Sequence, residues 1–297
     1  MRFATSHRRL NHSILAAALT ALAAGVPAMA QSDAKPDVKA PAAKDATPLP
    51  SAKDVVAKMI EFQGGEKAMA DVRSSRGTGS FSVPMMNLNG SLKTWSSPPN
   101  LMFIEMDIPA MGGKSMQGFN GTVGWSIDPI NGAQLLDGEM LKTVSRDANL
   151  RGDLDIFKMY DTVTVTGREK FEDVDCVVLE LKTGDLVSQR YIDAETGRMV
   201  GAKSIMPTPQ GDIPVETVIA EWKTVDGRTF PIDTRMRMMG MEQVMKIDTI
   251  EIGPVDAKKF DLPPAIAALV ADAKAKKSDE GDEENADSKK SEKTAGE

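Results

Sequence analysis

The sequence predicts a mainly β domain of α+β class: about eleven antiparallel strands in a strongly curved sheet or part-barrel, with covering helices. Three observations predict it. Beyond Val72, apolar and polar residues alternate with a period of two through most of the chain. Turn signals such as Asn120-Gly121, Asp226-Gly227 and Glu195-Thr196-Gly197 fall between the alternating runs. Helical periodicity is confined to a segment in front of the strands and one inserted midway.

Taken in chain order, residues 1–30 read as a signal peptide. Arg2, Arg8 and Arg9 form a basic start with no acidic residue, the apolar run Ile14 to Val26 follows, and Ala28-Met29-Ala30 is a cleavage site. The run is too short for a bilayer, which needs about 20 residues. Ordinary secretion is favoured over twin-arginine export, because Leu10-Asn11-His12 lacks the apolar continuation of that signal. Cleavage after Ala30 would leave Gln31 first, in a protein that is soluble and periplasmic. Residues 31–50, rich in Ala, Pro, Lys and Asp, are expected to be a disordered linker.

Ser51 then opens a helix whose Val55, Val56, Met59 and Ile60 share a face, with Asp54 three residues past the cap. Gly64-Gly65 stops it, and Glu66 to Val72 resumes briefly. Phe81 and Val83 start the strands. Met102, Ile104, Met106 and Ile108 alternate with Phe103, Glu105 and Asp107. Val163 and Val165, then Val177, Leu179 and Leu181, continue the pattern, and Ile232, Thr234, Met236 and Met238 carry it near the end. Asp137 to Leu150 is the inserted helix, with Leu141, Val144 and Ala148 as its stripe. The folded domain is expected over 51–267, and 268–297 as a disordered charged tail.

Composition removes most chemistries. The two histidines, His7 and His12, both fall in the leader, so a mature chain has no imidazole for a triad, a metal or a general base. Cys176 stands alone, which excludes a disulfide within the chain and a thiolate zinc site. Gly77-x-Gly79 leads into a strand and not a helix, so it is no phosphate loop. A formal charge of −7 argues against nucleic acid. No catalytic residue, metal or cofactor is expected, and the protein is not expected to be an enzyme.

The 19 methionines are the unusual feature, and Met236, Met238, Met239, Met241 and Met245 cluster. Copper would want His or Cys beside the thioethers, which this cluster lacks. Two readings stay open: Met as an adaptable core filler, and Met as the lining of a cavity that accepts acyl chains of varied shape. On the second reading Met102, Ile104, Met106, Met236 and Met238 line the cavity, and the helix with Leu141 and Val144 covers it. Trp125 is either core packing at a strand end or part of the cavity mouth.

Several short stretches, in this order, resemble the LolA/LolB-like lipoprotein carrier superfamily over roughly residues 52–266. They are Gly64-Gly65-Glu66-Lys67-Ala68, Gly77-x-Gly79-x-Phe81, Ser97-Pro98-Pro99-Asn100-Leu101-Met102-Phe103, Gln117-Gly118-Phe119-Asn120-Gly121-x-x-Gly124-Trp125 and Phe260-Asp261-Leu262-Pro263. The resemblance implies an incomplete antiparallel barrel whose apolar cavity, under helices, holds the acyl chains of lipoproteins or other lipids. It also implies a membrane-anchored delivery partner. The lipoprotein chaperones of that superfamily carry an arginine just before Pro-Asn that helps hold the lid closed. Here the place is taken by Pro98 or Ser97, so the chain is similar to the broader lipoprotein-sorting-like branch. Two functions follow as expectations: a carrier for a lipid or acylated ligand, or an envelope regulatory or scaffold domain whose barrel is filled by its own side chains.

Overall fold

A computed structural model describes residues 48–275, except 185 and 209–210. The expected signal peptide, nearly all of the linker and most of the charged tail lie outside the described residues. Helices α1 (Ala52–Phe62) and α2 (Gly65–Ala70) come first. Strands β1 (Ser75–Val83), β2 (Leu88–Ser97), β3 (Leu101–Ile108), β4 (Gly113–Phe119), β5 (Gly124–Asp128) and β6 (Gly132–Leu136) form a meander. Helix α3 (Gly138–Asp147), a 3-10 turn at Gly152–Asp155 and α4 (Ile156–Met159) interrupt it. A second meander follows: β7 (Thr162–Phe171), β8 (Val174–Thr183), β9 (Leu186–Asp193), β10 (Met199–Thr208), β11 (Gly211–Val225), β12 (Arg228–Met238) and β13 (Met241–Ile252). A last helix, α5, covers 264–275.

All thirteen strands among the described residues belong to one antiparallel sheet, in the order β6-β5-β4-β3-β2-β1-β13-β12-β11-β10-β9-β8-β7. The edges β6 and β7 do not pair with each other, so the barrel is incomplete, as expected. The count is thirteen where pattern suggested about eleven. Strands as short as β6, five residues long, carry too few alternations to be counted that way. The first and last strands meet at the centre of the sheet: Phe81 pairs with Met245 and Ser82 with Val244.

The local signals act as their chemistry requires. The Ser51 hydroxyl accepts from the Asp54 backbone N–H at 3.2 Å, which satisfies one of the free donors at the start of α1. Gly64 ends the run at φ 112, a left-handed conformation that a side chain would strain. Helix α1 then buries Val55, Val56 and Met59 against Val177, Leu179, Leu181 and Ile192 of β8 and β9. Each such apolar side chain taken from water stabilises by about 1.5–3 kcal/mol. Helix α3 does the same over the first meander, where Val144 and Ala148 join Phe81, Leu92, Ile104 and Phe119. Both helices thus cover one side of the sheet, its inner face.

The outer face is also covered, and here the expected boundary moves. Ile266 on α5 packs with Phe103, Trp125 and Phe260, and Leu269 and Val270 pack against that cluster. The folded unit therefore runs past 267, and the disordered tail cannot begin at 268. The three apolar residues stand at helical spacing, one stripe of a helix that lies on β3 to β6. At the other end of the outer face, Phe171 stacks on Tyr191 with ring centroids 4.3 Å apart. Cys176 is buried beside them and faces away from Val177 and Leu179. Burial pushes its thiol up to about 11, which leaves it protonated and inert at neutral pH.

Candidate ligand-binding cavity

The helices stand over the inner face without filling it. Between them and the sheet lies a cavity of about 400 Å³, within the range of small-molecule sites. Its floor is apolar: Leu92 of β2, Ile104 of β3, Ile219 of β11, and Met245 and Ile247 of β13. Alternation along each strand points these side chains to one face. Ala148, Leu150 and Met159, from the segment between α3 and β7, form part of the roof.

One end of the cavity is polar, and four separate segments build it. Arg190 of β9 is 8% exposed, and its Nη1 donates to Asp153 Oδ1 at 2.6 Å. Gln63, at the end of α1, donates from Nε2 to Asp153 Oδ2 at 2.7 Å. Burial disfavours the Arg190 charge, but Asp153 and Tyr160 outweigh it and hold the guanidinium pKa above its ordinary value. Arg228, at the start of β12, donates from Nη2 to the Leu150 carbonyl at 2.7 Å. Its pKa is lowered by burial, which Asp153 only partly offsets. Arg146 lies 5.8 Å from the Tyr160 ring centroid.

Asp147 is the group left over. It is 3% exposed, and its Oδ2 has no hydrogen-bond partner among the described residues. Burial pushes its carboxyl well above the usual carboxylate range, and Arg146 and Arg190 only partly counter that. Burial of this kind favours the neutral over the charged form of a carboxyl.

The short turn between the helices presents Asp153. Gly152 takes φ 52, which a non-glycine residue adopts rarely, and Asn149 Oδ1 accepts from the Arg151 backbone N–H at 3.0 Å. Asp155 anchors the turn through Lys158 at 2.8 Å and Arg151 at 2.9 Å. The hydrogen bond from Lys158 is the main reason its carboxyl sits below the ordinary value.

Sequence expectations for the lining divide. Met102 and Ile104 border the cavity. Met106 does not: it packs with Phe81, Val83 and Ile108 further along the inner face. Met236 and Met238 are likewise closed in, against Met206 and Val215. Those parts of the inner face are filled core, because strand positions beyond the reach of the helices close on their own neighbours. Leu141 and Val144 press directly on the sheet: a Cβ built at Gly124 would lie 2.8 Å from Val144 Cγ1 and 3.0 Å from Leu141 Cδ1. The cover over the cavity is instead the following stretch, 146–150. Trp125 sits on the opposite face of the sheet. It pairs with Gly118 and Leu135, lies 5.7 Å from the Phe103 ring and shares a cluster with Ile266 of α5, so it is not at the cavity mouth.

The division makes a measurable contrast. Met106→Ala should cost about 2–5 kcal/mol, because a packed interior does not collapse around the void. Ile219→Ala, on the cavity wall, removes side-chain atoms that touch empty space on one side, so about 1 kcal/mol is expected. Urea unfolding of both variants would read the difference, and equal losses would mean that the cavity is closed in solution.

Arg190, Asp153, Arg228 and Asp147 were not visible as site residues in the sequence. The available signal was small: Arg190 stands two residues before Ile192, in an inner-face position where an apolar residue is the norm.

The sequence matches no protein-family model and no curated protein. Solved structures do match. A LolA superfamily protein from Nitrosomonas europaea aligns with 72% of this chain and 98% of its own, at 15% identity and a TM-score of 0.50. A DUF1329 family protein from Desulfovibrio piger aligns with 71% of this chain and 97% of its own, at 15% identity and a TM-score of 0.49. A putative outer membrane lipoprotein-sorting protein domain from Vibrio parahaemolyticus gives 70% and 97%, at 12% identity and a TM-score of 0.47. At these identities the likeness concerns the fold alone. The open antiparallel sheet with its few helices agrees with it: this chain has a LolA-like fold.

Proposed function

We propose that the protein is an exported, non-enzymatic carrier that binds a lipid or acylated ligand in this cavity and passes it to a membrane-anchored partner in the periplasm. The observation that supports it is the apolar floor under helices that cover but do not fill it. Each CH₂ taken from water contributes about 0.8 kcal/mol, so roughly a dozen would supply on the order of 10 kcal/mol without any covalent step. The export leader in the sequence agrees with such a role.

Native mass spectrometry of protein purified from membrane-containing cells tests the reading, together with uptake of a fluorescent fatty-acid probe. The wild type is expected to carry lipid and take up probe. Ile104→Asp, which places a carboxyl on the cavity floor, should lose both while keeping its β-rich circular dichroism. A wild type that carries no lipid and takes up no probe would leave the scaffold reading, with a self-filled barrel, in its place.

A further inference from the structure

The cavity has a charge pattern that runs against the rest of the molecule. The chain carries a formal charge of −7, yet five arginines among the described residues border this one space. Arg73 is bridged by Asp71 and Asp226, Arg76 by Glu251, and Arg190 by Asp153. Arg228 differs. Among the described residues its side chain hydrogen bonds only to the Leu150 carbonyl, and no carboxylate lies within ion-pair distance of it. The nearest acids do not balance it: Asp153 is already engaged by Arg190 and Gln63, and Asp147 is sealed in beside Arg146 and Arg190. A half-buried guanidinium without a counter-charge is costly to the empty protein, and a ligand that brings the missing anion recovers part of that cost.

Resting on the carrier reading above, we propose that the ligand is a single-chain amphiphile with an anionic head, a carboxylate or a phosphate monoester, which docks on Arg228 while its tail lies on the floor formed by Leu92, Ile104, Ile219 and Ile247. A guanidinium suits either head, because its fork of N–H donors matches two oxygens at once. The cavity volume is near the low end for ligand sites, which suits one tail and one small head.

Titration calorimetry of the delipidated mature protein with dodecanoate, dodecan-1-ol and dodecyl phosphate tests it, since the three share a tail. Wild type should bind dodecanoate or dodecyl phosphate about tenfold or more tighter than dodecan-1-ol, the size of one charge-assisted hydrogen bond. Arg228→Gln should bring the anions down to the alcohol's affinity and leave the alcohol unchanged, and Arg228→Lys should keep part of the preference. Thermal melting of each variant checks that the fold is intact. The tighter of the two anions assigns the head. Equal binding of anion and alcohol by wild type, or an undiminished preference in Arg228→Gln, overturns the head-group assignment while the carrier reading stands. Failure of all three ligands to bind overturns both.

Discussion

Asp153→Ala is expected to lower stability by about 3–5 kcal/mol, because it strands the Arg190 guanidinium in the interior without its counter-charge. The Arg190 and Asp153 side chains are 10% and 12% exposed, so water is a poor substitute partner. The Gln63 amide would lose its acceptor as well. Removing both charges is a different matter. Arg190→Met on the Asp153→Ala background should recover much of the loss, since a thioether chain of similar length needs no partner there. Urea midpoints of the two single variants and the double variant give the coupling. A loss below about 1 kcal/mol for Asp153→Ala would mean that the pair is hydrated and contributes little.

Gly79→Val should be at least as damaging, by about 4 kcal/mol or more. Gly79 sits at a register shift between β1 and β13. A Cβ built there would lie 1.8 Å from the Lys246 carbonyl oxygen and 2.8 Å from its carbon. Those are backbone atoms, which cannot swing aside as a side chain would. Relief requires the central pair of strands to separate. Gly167→Ala is the control, because nothing stands within 4 Å of its added Cβ and the loss of a flexible glycine should be nearly neutral. Comparable soluble yield and melting temperature for Gly79→Val and wild type would show that this contact relaxes easily.

Much of the fold was legible because it rests on local signals. The period of two along Met102 to Ile108, the Ser51 cap, the Gly64 stop and the stripe on α3 all depend on residues close in sequence. What depends on pairing was not. Trp125 could be assigned to a face only once Gly118 was known to lie opposite it, since a short strand of alternating type fits either way up. Helix α5 was hidden for another reason: Ile266, Leu269 and Val270 run directly into a lysine-rich stretch whose composition dominates any window that includes it. The polar end of the cavity is the extreme case. Gln63, Asp153, Arg190 and Arg228 come from four elements far apart in the chain, and no spacing rule joins them. Met106 and Met236 were placed on the correct face, but periodicity cannot tell a filled part of that face from an empty one.

The central pairing of β1 with β13 also sets the order in which the molecule can be assembled. Each meander consists of hairpins that close over a few residues, whereas the seam between them joins the two ends of the sheet-forming chain and carries the largest loop-closure cost. Until β13 exists, the β1 edge of the first meander is unpaired, the kind of edge that recruits other chains. Its sequence, Ser-Arg-Gly-Thr-Gly-Ser-Phe-Ser-Val, is poor in the branched and apolar residues that make such pairing persist, and it carries a charge near its start. Gly79 thus serves twice: it allows the close approach of β13 in the finished sheet, and with Gly77 it weakens premature partners while the chain waits for it.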